Sequence, residues 1–287
     1  MSLYVLSLLL TAAVLHALWN LLSKQAKGKA PFIWLMYVAS TVLYLPVLLY
    51  TIKQGASIFS QAVLWFSLSS AVLHITYYLV LQKGYRSGDL SVVYPLARGT
   101  GPLFSSMAAI VFLHEPLKLS ASIGLLLILA GVFIITGLSF KKEQNAKIIT
   151  GVFWGALTGF FIALYTLNDT VAIKTYAVPP LMVTFVSNLF SSVLLLPFVL
   201  WQQQEIKREI KQHAWVIIAI GLLSPAAYIL VLQALKFAPL TVVAPARETS
   251  ILLGVFMGSR VLNEQDGRRR LMASALILGG IVALSLG

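Results

Sequence analysis

The stretch VVYPLAR at residues 92–98 recurs as VVAPAR at residues 242–247. In each copy a glutamate follows the arginine after 17 residues, and a glycine follows the glutamate after another 16. These positions are Arg98, Glu115 and Gly131 in the first copy and Arg247, Glu264 and Gly280 in the second. A repeat of this length indicates a duplicated chain, and we predict that its two units are residues 1–140 and 141–287.

The composition is that of an integral membrane protein. Of the 287 residues, 59% are hydrophobic and 10% are charged, whereas soluble domains carry about 25% charged residues. The formal net charge of +12 does not predict nucleic-acid binding, because most of the basic residues lie in short connections between apolar runs. The chain contains no cysteine, which excludes disulfides, thiolate metal ligands and cysteine nucleophiles.

The apolar runs divide into ten segments of the length that a helix needs to cross a bilayer, about 20 residues. The first begins at Leu3 without a preceding basic segment, so we expect a retained helix and not a signal peptide. An odd number of spans per unit inverts the second unit, so we predict an all-α integral membrane protein of ten transmembrane helices in two inverted five-helix repeats. The predicted spans are residues 3–22, 31–51, 60–81, 90–113, 119–138, 148–168, 179–201, 214–235, 241–262 and 269–286.

Loop charge predicts the orientation in the cell (inner) membrane. The odd-numbered connections hold fifteen of the Lys and Arg residues, and the even-numbered ones hold Lys53, Lys118, Lys174 and Lys236. Because positive charge concentrates in cytoplasmic loops, we expect the odd connections in the cytoplasm and both termini outside it.

Several motifs resemble a known family. They are HALWN at residues 16–20, YPLARGTGPL at residues 94–103, HEPL at the end of span four and APARE in span nine. Together with the five-plus-five layout they resemble the ten-span EamA-type family of the drug/metabolite transporter superfamily, over essentially the whole chain. The resemblance implies an exporter or exchanger of small metabolites or drugs that works by alternating access through a central cavity. It does not imply a particular substrate.

Each repeat places one arginine inside a predicted span. Arg98 lies about 12 Å deep at 1.5 Å per residue, and Arg247 lies at a similar depth in span nine. Inserting an arginine there costs at least about 2.5–3.5 kcal/mol. Either the arginines face a watery cavity and bind a carboxylate or phosphate, or they bond to backbone carbonyls freed by Pro95 and Pro245, or they reach an interface. The two prolines are also candidate hinges.

Three further side chains are candidates for proton coupling. His16 shares a helix face with Asn20, and its imidazole either takes up protons near physiological pH or stays neutral and hydrogen-bonded across helices. Glu248 lies deeper in its span than Asp169 does. For Asp169, near the end of span six, the sequence favours a solvated interfacial charge over a coupling role.

Aromatic and amide side chains complete the predicted substrate site. An anionic or zwitterionic substrate follows if an arginine faces the cavity, and an aromatic or amphipathic one fits the aromatic residues equally well. Tyr37 and Tyr77 are at cavity-compatible positions, whereas His74 is expected to be packed. Besides the two arginines, the predicted substrate-binding residues are Trp19, Asn20, Trp34, Tyr78, Tyr94, Tyr165, Asn188 and Tyr228.

The sequence favours a secondary transporter over the alternatives of an intramembrane enzyme or a membrane scaffold. It has no P-loop, so ATP hydrolysis by this chain is excluded, and it has no recognisable catalytic constellation. No cofactor, metal or nucleic acid is expected; the expected partners are a small-molecule substrate and the lipid bilayer. Small residues in register would serve either internal helix packing or a homodimer; they are Gly151, Gly155, Gly159, Gly254 and Gly258.

Overall fold

The computed structural model describes residues 3–55, 60–113, 119–136, 142–238 and 267–285, together with residues 243, 250, 253, 257 and 261. These parts are almost wholly helical and contain no β-strand. The helices that they define are α1 (Leu3–Ala26), α2 (Ala30–Lys53), α3 (Gln61–Ser87), α4 (Leu90–Leu113), α5 (Leu119–Thr136), α6 (Lys142–Lys174), α7 (Pro180–Val199), α8 (Gln203–Leu235) and α9 (Gly267–Ser285).

The prediction of an all-helical membrane protein is confirmed. Six of the described helices are long and apolar enough to cross a bilayer, namely α1, α2, α3, α6, α7 and α8. Most of the predicted ninth span lies outside the described residues, so the count of ten stays a prediction.

Prolines and a serine mark the helix starts. Pro31 lies in the first turn of α2 and Pro180 begins α7, where the missing N–H has no intrahelical partner to lose. Ser60 precedes α3, and its side chain accepts a hydrogen bond from the Val63 backbone N–H at 3.2 Å. The sequence thus places these three boundaries within a residue or two.

The helix α8 begins earlier than its apolar run. It starts at Gln203 and includes the basic stretch that the sequence assigns to a connection. A kink separates the two parts at His213, whose backbone has φ −129° and ψ 17°. The apolar length measures only the part of a helix that lies in hydrocarbon, so it does not detect a polar helical extension.

Helices of the first half of the chain pack mainly on helices of the second half. The helix α1 packs on α8, and α6 packs on α3; α2 packs on α8, and α7 packs on α3. Two other pairs, α2 with α7 and α5 with α9, also join a helix of the first half of the chain to one of the second. The core therefore lies between the halves as well as within each of them.

The paired glycines of the sequence repeat lie in one helix crossing. A Cβ added to Gly131 on α5 would lie 2.6 Å from Ile277 Cγ1, and one added to Gly280 on α9 would lie 2.7 Å from Ile128 Cγ1. Ile128 precedes Gly131 by three residues, and Ile277 precedes Gly280 by three residues, so the two contacts are reciprocal. The glycines therefore let α5 and α9 approach closely.

A second close crossing joins α4 to α6. A Cβ added to Gly155 would lie 2.8 Å from Leu96 Cβ, and one added to Gly159 would lie 1.9 Å from Thr100 Oγ1. At Gly151 the nearest atoms would be 3.6 Å away, an ordinary contact. These glycines serve packing inside the molecule, whereas Gly254 and Gly258 lie outside the described residues.

Lys24 ties the end of α1 to the end of α3. Its Nζ donates to the carbonyl oxygens of Tyr85 and Gly88, both at 2.6 Å. These carbonyls belong to the C-terminal end of α3, where a helix carries partial negative charge and lacks intrahelical donors. A cation there stabilises both the helix end and its contact with α1.

Replacing Lys24 by methionine is expected to destabilise the protein by about 1–2 kcal/mol, because two carbonyls lose a charged donor. The measurement is the melting temperature of the purified protein in detergent. Lys29→Met is the matched control, since the Lys29 side chain is exposed and makes no capping hydrogen bond. Equal melting temperatures for the two variants would contradict the anchoring role.

Candidate functional site

A central cavity lies where six helices meet, and the space between its lining atoms, the part open to solvent included, is about 660 Å³. The helices α1, α2 and α3 from the first half and α6, α7 and α8 from the second all contribute to its wall. The lining side chains include His16, Trp19, Met36, Tyr37, Ser40, Ser70, His74, Tyr77, Tyr78, Tyr165, Thr184, Ser187, Asn188, Ser224 and Tyr228.

Aromatic rings in mutual contact form much of this wall. Tyr165 stands at their centre, stacked on His74 at 4.1 Å between ring centroids and edge-on to Tyr77 and Tyr228 at 5.3 and 5.8 Å. Such offset and edge-to-face contacts add to the stability that burial alone provides. The rings present both π faces and hydroxyl groups to a ligand.

Polar groups on α2, α7 and α8 complete the wall. The Asn188 side chain donates from Nδ2 to Ser40 Oγ at 2.7 Å, which joins α7 to α2 across the halves. On α8, Pro225 has no N–H for the Gly221 carbonyl, its usual partner four residues earlier. Both residues line the cavity.

Arg98 is buried, with 2% of its surface exposed, and lies behind the cavity wall. Its Nη2 lies 3.2 Å from His16 Nδ1, and the Trp19 indole Nε1–H donates to the same nitrogen at 3.0 Å. Guanidinium and indole groups only donate. His16 Nδ1 must therefore accept, which makes His16 a neutral imidazole with its proton on Nε2.

This arrangement distinguishes between the interpretations that the sequence left open for Arg98 and for His16. Arg98 packs against the Tyr94 ring, 5.5 Å from its centroid, and reaches the cavity through His16, which does line it. In this conformation the guanidinium is therefore not part of the wall. For His16 the geometry is that of the neutral, cross-helix hydrogen-bonded side chain.

The prediction of Asp169 as a solvated interfacial charge is wrong. Asp169 is completely buried. Its Oδ2 accepts hydrogen bonds from Tyr228 at 2.6 Å and Ser70 at 3.0 Å, and its Oδ1 accepts one from Asn168 at 2.8 Å. The carboxylate thus lies between α3, α6 and α8, directly behind two residues of the cavity wall.

The spacing of the sequence repeat extends into this site. The 149 residues that separate Arg98 from Arg247 also separate His16 from Tyr165 and Asn20 from Asp169. His16 and Tyr165 both line the cavity, whereas Asn20 and Asp169 are both buried and absent from its lining. The second half therefore carries a carboxylate where the first carries an amide.

Other predicted residues lie near the cavity and not on its wall. Asn20 accepts from the Tyr85 hydroxyl at 2.6 Å, and the Tyr94 hydroxyl donates to Ser250 Oγ at 3.0 Å. Trp34 donates from its indole to the Ser192 carbonyl at 3.0 Å. Several predictions fall outside the described residues; these are Arg247, Glu248 and Pro245, together with the side chain of Pro95.

The structure adds residues to the site that the sequence analysis did not select, namely His74, Ser70, Thr184 and Ser187. His74 is packed, as expected, but its ring also lines the cavity. Serines and threonines carry no sequence signal in an apolar helix, because they satisfy their hydroxyls locally. The hydrogen bond from Ser70 to Asp169 depends on how α3 packs on α6, which the sequence does not show.

The sequence profile of the EamA-like transporter family matches this chain twice, over residues 3–137 and residues 149–286. The chain belongs to the EamA-like transporter family. The two matches together take in nearly all of the sequence, so the resemblance found from the motifs is confirmed. Members of this family are membrane transporters of the drug/metabolite superfamily. This agrees with the expectation that the protein is not an enzyme.

The proteins similar to this EamA-family chain include one sequence relative and one solved structure. The uncharacterized protein MJ1333.1 of Methanocaldococcus jannaschii is 30% identical over 129 residues, which make up 44% of this chain and 92% of that protein. A protein of known crystal structure superposes with a TM-score of 0.63, over 98% of this chain and 96% of that chain, at 14% identity. The second likeness concerns the fold alone.

Proposed function

We propose that this EamA-family protein is a secondary transporter of a small organic solute, which binds in the central cavity and crosses by alternating access. The observation that carries the proposal is the composition of the cavity wall. It is built from α1, α2 and α3 of one half and α6, α7 and α8 of the other. A site between two halves can be exposed to either side by rocking one half against the other.

Several findings support two inverted repeats as the basis of this motion. The family profile matches each half separately, and MJ1333.1 is about half the length of this chain. The packing of α1 on α8 repeats as α6 on α3. At the crossing of α5 and α9, Gly131 lies against Ile277 as Gly280 lies against Ile128. Ten spans with both termini outside the cytoplasm are part of the same proposal, on the basis of span length and loop charge.

The wall favours an aromatic, amphipathic or zwitterionic solute over a strongly anionic one. Among the described lining residues no side chain is Asp, Glu, Lys or Arg. Tyrosine and tryptophan rings bind apolar and cationic groups, and the hydroxyl and amide groups orient polar ones. An anionic solute would require Arg98 to move past His16 into the cavity.

A ligand screen with a cavity-filling variant tests the site. The purified protein is screened by thermal shift against amino acids, organic acids, phosphorylated metabolites and aromatic cations. A ligand at about a hundred times its Kd stabilises the folded state by about 2.7 kcal/mol. Ser224→Phe is expected to abolish this shift, because Ser224 lines the cavity and the larger ring occupies the ligand's space.

The matched control is Leu222→Phe, two residues away on the same helix, where the side chain is 49% exposed on the outer surface. This variant is expected to keep the ligand-induced shift. A ligand that stabilises Ser224→Phe as well as it stabilises the wild type would place binding elsewhere. If no class of compound stabilises the wild-type protein and none is transported by it, the result would count against transport through this cavity.

A further inference from the structure

In the part of the chain that the structure describes, the buried carboxylate of Asp169 has hydrogen-bond donors but no cationic partner. It accepts three hydrogen bonds, from Tyr228, Ser70 and Asn168. Within the described part of the chain no Lys or Arg side chain forms an ion pair with it. An unpaired buried charge inside a membrane protein is costly, and binding a proton removes that cost.

The hydrogen bonds from α3 to Asp169 have a fixed direction. His74 Nδ1 lies 2.9 Å from the Ser70 carbonyl oxygen and 3.0 Å from Ser70 Oγ. A carbonyl only accepts, so Nδ1 carries a proton. Because Ser70 Oγ donates to Asp169, it accepts from His74. The donors therefore run from His74 to Ser70 to Asp169.

This chain of donors begins at the cavity and ends behind its wall. His74 and Ser70 both line the cavity, and Asp169 does not. Among the described residues, the titratable side chains in ring contact with His74 are Tyr77 on α3, Tyr165 on α6 and Tyr228 on α8. Tyrosines ionise far above physiological pH, so the imidazole and the carboxylate are the groups that exchange protons there.

We propose that Asp169 is the proton-binding group that couples transport to a proton gradient, and that His74 and Ser70 relay the proton from the cavity. The proposal rests on the transport function proposed above. A proton from the cavity binds His74 Nε2, the Nδ1–H bond breaks as that proton passes to Ser70 Oγ, and the serine proton passes to Asp169 Oδ2. Asp169 ends neutral, Ser70 is restored, and His74 ends neutral with its proton on Nε2.

Protonation of Asp169 changes the cavity wall, which provides the coupling. A neutral carboxyl group donates one hydrogen bond, whereas the carboxylate only accepts. The hydroxyls of Ser70 and Tyr228 then no longer both donate to Oδ2, and His74 loses the proton that it donates to the Ser70 carbonyl. Three residues of the wall, on α3 and α8, therefore change their hydrogen bonds together when the proton binds.

The first test detects the proton itself. Infrared difference spectra of the purified protein between alkaline and mildly acidic pH are expected to show the C=O band of a protonated, buried carboxyl group. The band is expected to be lost in Asp169→Asn and kept in Glu209→Gln, since Glu209 is also buried but bonds to His213 at 2.9 Å. Absence of the band from the wild type, or its persistence in Asp169→Asn, would overturn the assignment.

The relay has its own variants. His74→Phe keeps an aromatic ring on Tyr165 but cannot carry a proton, and we expect the band to appear about a hundredfold more slowly after a pH jump. Thr76→Val, two residues further along α3, is the matched control, because the Thr76 hydroxyl donates to the Val72 carbonyl at 2.9 Å and takes no part in the relay; its band is expected to appear at the wild-type rate. A wild-type rate in His74→Phe would overturn the relay while leaving Asp169 as the proton site. Tyr228→Phe removes one donor from Asp169 and is expected to shift the frequency of the band, which identifies Asp169 as its source even if Asp169→Asn does not fold.

The second test separates coupling from transport. Proteoliposomes with an imposed pH gradient are incubated with the labelled compound that most stabilises the wild type, and exchange is measured in vesicles that contain the same compound unlabelled. Asp169→Asn is expected to lose gradient-driven accumulation and to retain exchange of labelled for unlabelled compound. A wild type that exchanges but ignores the gradient would overturn the coupling alone. A wild type that shows the infrared band but carries nothing would overturn the transport function, and with it the coupling role.

Discussion

Gly159→Ala is expected to destabilise the protein more than any other single methyl group added to its helix crossings. The new Cβ would lie 1.9 Å from Thr100 Oγ1 and 2.8 Å from the Ala97 carbonyl oxygen. Thr100 is itself held by a hydrogen bond to the Leu96 carbonyl at 2.6 Å. The helices α4 and α6 must therefore separate, and overpacking of this kind costs about 1–3 kcal/mol or more.

Gly151→Ala on the same face of α6 is the matched control. Its Cβ would make only ordinary contacts, the nearest at 3.6 Å, and alanine is favoured over glycine in a helix by about 1 kcal/mol. Melting temperatures in detergent are expected to fall for the first variant and to stay level or rise for the second. The double variant Gly159→Ala with Thr100→Ala should recover part of the loss. A Gly159→Ala protein as stable as the wild type would contradict the tight crossing.

The repeat in the sequence predicts contacts in the fold beyond the residues that it conserves between its two copies. Residues at equivalent positions of the sequence repeat make equivalent contacts, since Gly131 lies against Ile277 and Gly280 against Ile128 at one crossing. The same 149-residue spacing relates Asn20 to Asp169. Duplication leaves such pairs at fixed separations, so they can be found without a structure once the offset is known.

The environment of Asp169 could not be predicted in this way. Its position near the end of an apolar run suggests an interface, since span ends lie near water. Its partners come from other helices, Ser70 at a separation of 99 residues and Tyr228 at a separation of 59. Which face of a helix turns toward such partners is decided by packing, and a nearly uniform apolar composition gives little amphipathic signal for it.

Similar reasoning applies to the cavity. Tyrosines were expected in it from their number and position, and Tyr78, Tyr165 and Tyr228 do lie on its wall. His74 was expected to be packed, because a single histidine in an apolar helix has no sequence partner. Its stacking on Tyr165 joins α3 to α6, a contact that no local pattern reports.

Arg98→Ala is expected to reduce transport by about a hundredfold while leaving a folded protein. The buried guanidinium contacts His16 Nδ1 at 3.2 Å and lies against the Tyr94 ring. Truncating one member of a buried charged hydrogen bond costs about 2–5 kcal/mol. Because His16 lines the cavity, losing its partner changes the orientation of a wall residue, and the defect should appear in transport.

Uptake into proteoliposomes, normalised to the amount of folded protein, measures this effect. Arg98→Lys keeps the charge but not the planar fork of donors, so its activity is expected to lie between those of Arg98→Ala and the wild type. Arg86→Ala is the matched control: Arg86 is an exposed arginine at the end of α3 whose Nη1 donates to the Gly28 carbonyl at 2.8 Å. Its removal also takes away one positive charge but leaves the cavity wall unchanged. Wild-type transport by a folded Arg98→Ala protein would show that the arginine acts in packing alone, and the solute would then be held by the aromatic and hydroxyl groups of the wall.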